Sequence, residues 1–529
     1  MRNLFYFLLA FLTVLACGVE SSYENAKIFR YNEPTGINSL DPAFAKQQST
    51  IWATHQIFNG LVQMDNALNI TPCIAKSWQI DSTGTQYTFE IRKDVYFHQN
   101  DCFKDSTRRV TAHDFVYSFN RLIAPETAAP GAWVLSKMEN ITAKDDSILI
   151  ISLSEAFTPF LGILTMKYCS VVPHEAVTKY RNEFGRNPVG TGPFQFKMWA
   201  DNEKLVLLKN EHYFESSPEN EIPKLDAVAI SFIPDRQSAF LEFSKGKLDF
   251  LSGLDAGYKD ELLKADGTLQ EKYASRIDIN TLPFLNTEYL GINMNTRHPG
   301  LRNQKFRQAL NFGINKKEMV KYLRNDIGTA ANAGMVPNGL PGFTSAAGYG
   351  YHYNPEKAKE LIAECQLDLT TLQPIELVTT ANYRDLCEYV QNAWKKLGIT
   401  VNVNVVPSSH LRELKAKGDA DFFRASWIAD YPDAENYLSM FYSGNFTPNG
   451  PNYTFFEDSL FDSKYQEIRK EVNDSIRYSY AIMCDSLVMH EAPVVPLFYD
   501  KVIRFYHKNI KNLEGNALNT LELKYVQKL

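Results

Sequence analysis

Residues 423–437 read FRASWIADYPDAENY, and within them Arg424, Trp427 and Asp430 recur at intervals of three. A guanidinium, a large aromatic ring and a carboxylate in one short stretch could grip a ligand with two charged ends. On an extended segment residues six apart share a face yet lie too far apart to pair, so both charges are expected to be free for a partner. A zwitterion fits that description. The same residues also admit a purely structural role, with each charge paired locally and Trp427 in a core.

Other chemistry is poorly represented. Ser244-Lys245-Gly246-Lys247 has the Ser-x-x-Lys spacing of some acyl enzymes, but no Lys-Thr-Gly or Ser-Asp-Asn accompanies it and Gly246 reads as a helix stop. His-Glu-x-x-His and Gly-x-Ser-x-Gly are absent, and His174-Glu175 and His490-Glu491 stand alone, which argues against an exported hydrolase. The turn from Pro188 to Pro193 carries Gly190 and Gly192 but lacks the Gly-Lys-Ser/Thr ending of a phosphate loop, so its glycines are expected to allow close backbone approach instead. Beyond Cys17 stand Cys73, Cys102, Cys169, Cys365, Cys387 and Cys484, none spaced Cys-x-x-Cys. No metal or redox site and no cofactor is expected; buried thiols or one or two disulfides are.

The elements around Arg424 and Asp430 read as α/β. Ile375 to Thr379 is strand-like, Leu386, Val390, Ala393, Trp394 and Leu397 mark one helix face, Gly398 ends that helix, and Ile399, Val401, Val403 and Val405 alternate as a second strand. The focal stretch follows this βαβ unit, at the strand end where open α/β sheets place ligands. Earlier, Ala75 to Trp78, an Asp81-to-Gly84 turn, and Tyr87, Phe89 and Ile91 predict a hairpin. Thr111 to Asp114 predicts a capping box opening a helix with Phe115, Val116, Phe119 and Leu122 on its apolar face. Asn315 restarts a helix after the stripe Phe306, Ala309, Leu310, Gly313 and Ile314.

At 529 residues the chain needs two or more domains. With 55 basic and 61 acidic residues evenly mixed, a net charge of -6 leaves no basic surface for nucleic acid. An aromatic content of 13% suits a large recognition cavity, or simply a large core. Arg2 precedes an apolar run from Leu4 to Ala16 that is too short to span a bilayer, and the run ends at Cys17. This resembles a bacterial lipoprotein signal: residues 1–16 are expected to be removed, Cys17 to carry lipid, and residues 17–25 to form a tether.

The run PCIAKSWQIDSTGTQYTFEIRKDVYFH followed by VTAHDFVYSFNRL resembles the solute-binding proteins of family 5, the receptors of peptide ABC importers. NPVGTGPFQF, LGINMNT, FRQALNFGINKKEMV and YNPEKAKELI agree with the family's recurring blocks in order. The resemblance implies a two-lobed periplasmic-binding-protein fold of type II, with an extra subdomain at about residues 45–185. Lobe 1 would comprise 26–292 plus 492–529 and lobe 2 residues 293–491, with two hinge crossings. It further implies a monomeric, lipid-anchored receptor of the bacterial periplasm that traps short peptides and delivers them to permease subunits. Asp430 matches the family's ammonium-binding aspartate and Arg424 an arginine that in some members takes the carboxylate. The backbones of Ser426, Trp427 and Ile428 would pair with the peptide as an added strand, and Asn38, Ser39 and Leu40 form the matching segment of lobe 1. Family members for nickel chelates, haem or sugars are the alternative. Pro432-Asp433 departs from the loop of the oligopeptide receptors, which leaves ligand length open.

Overall fold

The computed structural model describes residues 26–255, 257–340, 343 and 348–529; the expected signal sequence, lipidated Cys17 and tether lie outside them. One sheet of eleven strands organises the chain. Its order is Val401–Val405, Ile375–Thr379, Phe422–Ile428, Ile277–Ile292, Val494–His507, Phe250–Ser252, Ile28–Asn32, Ala227–Ser231, Lys204–Lys209 and Phe194–Ala200, with Thr329–Ala330 added to Val494–His507. Ile277–Ile292 and Val494–His507 are the long members, antiparallel and paired from Ile277↔His507 to Gly291↔Val494.

These two strands join two sets of cores. Ile277, Ile279, Ile503 and Phe505 pack with Phe240, Phe243 and Tyr258, whereas Leu285, Tyr289, Leu290, Val495, Leu497 and Phe498 pack in the cores around Trp394 and Phe423. Along them the packing partners change between Ile279 and Leu285 and between Phe498 and Ile503, in the middle of continuous strands. The pairing register breaks only between Pro283 and Thr287 and between Glu288 and Tyr289; at the first break a proline has no N–H to give the ladder.

A second, antiparallel sheet, in the order Ala75–Ile80, Gln86–Ile91, Ile148–Leu153, Met138–Ala143, lies within the stretch expected to be a subdomain. The predicted hairpin is its first pair. Helix Ala112–Ile123 covers it, opened by the predicted box in which the Thr111 N–H donates to Asp114 at 2.8 Å, and it buries Phe115, Phe119 and Leu122. Phe89, Phe115 and Leu149 share one continuous core with Phe29, Tyr31 and Phe250 of the main sheet, so this unit is fused to lobe 1 rather than packed separately.

The βαβ reading holds: Ile375–Thr379 and Val401–Val405 pair in parallel across helix Arg384–Lys395. Gly398 ends that helix at a φ of +82°, which a side chain would strain. A Cβ on Gly190 would come 2.0 Å from the Ile57 carbonyl oxygen, so the turn does serve close backbone approach. Cys73, Cys102, Cys169, Cys365, Cys387 and Cys484 are all free thiols.

Candidate ligand-binding cleft

Strand Phe422–Ile428 is paired along its whole length on one side only. Ile277–Ile292 runs beside it from Ile292↔Phe422 to Asn286↔Ile428. On the other side Ile375–Thr379 pairs with it at Phe422 and Phe423 and then leaves. Antiparallel pairing alternates which residues face the partner, and the Ala429 N–H donating to the Leu285 carbonyl at 2.8 Å sets the phase. Ala425, Trp427 and Ala429 turn their backbone groups toward Ile277–Ile292; Ser426 and Ile428 turn theirs to the open edge. Of the three residues expected to pair with a peptide, Trp427 has its backbone already committed.

Asp430 follows the last cross-strand pair. Its loop is set by Asn436, buried on the short helix Ala434–Leu438, whose Oδ1 accepts from Trp427 Nε1 at 2.8 Å and from the Asp430 N–H at 3.3 Å. Trp427 thereby packs half-buried against the lobe 2 core. The Asp430 side chain opens into a cavity of about 620 Å³, whose other walls are lobe 1 residues including Trp52, His55, Lys167, Tyr168 and Lys524. Asp430 is exposed to the solvent of this open cleft; the protein around it still raises its carboxyl above the ordinary range, and the Asn436 amide opposes that rise. Among the described residues no cation pairs with it.

Arg424 is different. Its Nε donates to Glu288 Oε2 at 2.9 Å, its Nη2 donates to the same oxygen, and its guanidinium carbon sits 3.1 Å from the centre of the Tyr383 ring. Both charges are buried. The expectation that Arg424 is free for a ligand is therefore corrected. Glu288 pairs with Ser426 across the strands, which puts it on the diagonal from Arg424 and on the same face. Burial pushes the Glu288 carboxyl up even so, with Arg424 opposing.

Asn38, Ser39 and Leu40 line neither large cavity. The Leu40 N–H donates to the Gly185 carbonyl at 2.8 Å and Ser39 Oγ accepts from the Asp41 N–H at 3.1 Å, so the segment is held against lobe 1 itself. The loop after Ile28–Asn32 reaches the cleft earlier, through Glu33, Pro34 and Thr35, in a second cavity of about 610 Å³ that shares Trp52, Phe284 and Asn519 with the first. Two other acids near the site are already engaged. Asp433 caps the helix Ala434–Leu438 and pairs with Arg477 at 2.5 Å; Asp41 pairs with Arg121. Asn436 and the lobe 1 residues Trp52 and Lys167 were not singled out from the sequence. Asn436 lies in the focal stretch but is uncharged, and the others come from segments whose proximity only the fold creates.

Comparison with known proteins settles the class. The family model of bacterial extracellular solute-binding proteins, family 5 (middle region), matches residues 69–449. The chain belongs to this family. It is a solute-binding receptor, not an enzyme, and its two-lobed fold is that of periplasmic binding proteins. Heme-binding protein A of Haemophilus influenzae is 26% identical over 476 residues, which cover 84% of this chain and 82% of that one. Dipeptide-binding protein DppE of Bacillus subtilis is 24% identical, with 97% and 94% covered. Among solved structures, the ABC transporter-associated periplasmic binding protein DppA of Helicobacter pylori, in complex with the peptide STSA, has a TM-score of 0.77 at 23% identity, covering 95% of this chain and 98% of that one. Members of the family are extracellular, and among the described residues no helix is long and apolar enough to cross a membrane.

Proposed function

We propose that this receptor captures short peptides between its lobes and delivers them to the permease of an ABC importer, held at the cell envelope as a monomer by lipid on Cys17. The observation that carries the peptide reading is the pairing of an open strand edge at Ser426 and Ile428 with an unpaired carboxylate, Asp430, just beyond it. Main-chain bonds to a sheet edge bind any peptide irrespective of side chains, and an ammonium is the one charge every free peptide carries at its start. The name of the Bacillus subtilis relative and the bound peptide of the Helicobacter pylori protein support the same class of ligand.

Titration of free and N-acetylated forms of one peptide into the native protein and Asp430→Asn tests it. Loss of a desolvated charge partner typically costs about 2–5 kcal/mol, or roughly tenfold per 1.4 kcal/mol, and here only the free peptide should lose it. If both forms lose equally, or neither does, Asp430 does not hold the ammonium. The similarity to heme-binding protein A supports a second reading, a tetrapyrrole in the same cleft. A Soret band that survives dialysis of protein mixed with hemin, together with no peptide heat, would favour it.

A further inference from the structure

Lys167 lies on the short turn Lys167–Cys169 of lobe 1, on the wall of the cavity that Asp430 enters from lobe 2. The other charges on that wall are accounted for. His55 Nε2 is 3.1 Å from Glu522 Oε2, and Lys524 Nζ donates to Glu215 at 2.6 Å and to Gln63 at 3.1 Å. Asp65 accepts the N–H groups of Ala67 and Asn69 within its own turn. Lys46 is exposed, where solvent and salt screen it.

Lys167 is half-buried on that wall, and among the described residues its ammonium has no partner. Burial depresses its charge most and Lys524 opposes it, while Cys73, Glu522 and Cys169 favour it only from a distance; among the described residues its ammonium makes no hydrogen bond or ion pair. An ammonium carries three donors, and leaving them unmet in a partly enclosed site is costly. Asp430 does not meet them, since no cation is among the groups that shift its carboxyl. Two uncompensated charges of opposite sign thus face one cavity of about 620 Å³, one from each lobe.

We propose that Lys167 is the carboxylate-binding residue of this cleft, receiving a carboxylate of the ligand whose ammonium Asp430 holds, and so selecting zwitterions that bridge the lobes. The inference rests on the peptide reading above. It replaces Arg424, whose fork is taken by Glu288, with a residue on the opposite lobe. The carboxylate can be the peptide's C-terminus or an acidic side chain; both present the same group to an ammonium.

The test is calorimetric titration of the full-length protein, native and Lys167→Gln, with Ala-Ala, Ala-Ala-Ala and Ala-Glu-Ala, each as free acid and C-terminal amide, and with Ala-Gln-Ala. In the native protein the acid should bind at least about tenfold more tightly than its amide, or Ala-Glu-Ala than Ala-Gln-Ala, and Lys167→Gln should erase that preference while leaving the amide's affinity unchanged. Lys167→Arg should keep it. Which pair shows the preference names the carboxylate. If the native protein binds these peptides with no preference in either pair, or Lys167→Gln keeps the preference, Lys167 is not the carboxylate partner although the peptide reading stands. If no peptide binds while hemin does, the peptide reading fails and takes this inference with it. A thermal melt of Lys167→Gln that matches the native protein excludes misfolding as the cause.

Discussion

Arg424 and Asp430 sit six residues apart on one strand and its exit loop, and the fold has put one charge to structural use and left the other open. Arg424 lies inside the stretch paired with Ile277–Ile292, so a carboxylate from that strand reaches it on the diagonal. Asp430 lies beyond the last cross-strand pair, Asn286 with Ile428, and among the described residues no cation pairs with its carboxylate. What separates an open charge from a paired one here is where the sheet stops, and the spacing of the two residues does not reveal it.

The most damaging way to probe that contrast is to break the buried pair. Glu288→Ala leaves the Arg424 guanidinium buried against Tyr383 with no carboxylate, and stability should fall by about 3–5 kcal/mol in denaturant unfolding. Replacing both partners by apolar residues should recover most of the loss. Peptide affinity per folded molecule should change little, and equally for all lengths. A selective loss for one peptide length in Arg424→Lys would show instead that Arg424 reaches the ligand.

Asp430→Asn should behave in the opposite way. Its folded carboxyl is raised, so the ionised form is disfavoured by the fold: whatever stability the protonated group adds is present at low pH and lost as pH rises through the folded value. Removing the charge should therefore leave neutral-pH stability unchanged or slightly higher while free peptides bind far less well. Acidification of the native protein should mimic it. Affinity for a free peptide should begin to fall above the ordinary carboxylate range, as Asp430 protonates and the ligand ammonium loses its counter-charge, whereas the N-acetylated peptide should show no such dependence. Equal pH profiles for the two ligands would mean that another group titrates.

How much of this was legible in the sequence follows the same line. The hairpin from Ala75, the capping box at Thr111, the βαβ unit and the helix stop at Gly398 are written in periodicity and turn chemistry along one short stretch of chain each, and each stands where those signals put it. Asp430 was legible as a candidate because an unpaired charge needs no distant partner to be read. Glu288 lies 136 residues from Arg424 in sequence and Lys167 further still from Asp430, so neither the spent charge nor the opposing one could be seen locally. Asn38 to Leu40, taken from the resemblance as the matching segment of lobe 1, is bonded toward Gly185 at Leu40, while Glu33 to Thr35 line a cavity.

The smallest expected effect sharpens the comparison down to single backbone groups. Ile428 is exposed, and its N–H faces the open edge, while the N–H of Trp427 faces Thr287. Ile428→Pro removes one donor that only a ligand would use, and the residue before it is already extended, as a proline requires. Stability should hold to within about 0.5 kcal/mol, and peptide affinity should fall by one hydrogen bond, about 0.5–1.5 kcal/mol or up to roughly tenfold. Trp427→Pro takes a donor from the ladder to Ile277–Ile292 and should destabilise the fold by about 3 kcal/mol or more. Because the bond lost in Ile428→Pro is to the ligand's main chain, free and N-acetylated peptides should suffer alike, which distinguishes it from the loss at Asp430. If Ile428→Pro leaves every peptide's affinity untouched, the open edge of Phe422–Ile428 is not where the ligand lies, and Asp430 would then have to hold a ligand that approaches across the cavity from the Lys167 wall alone.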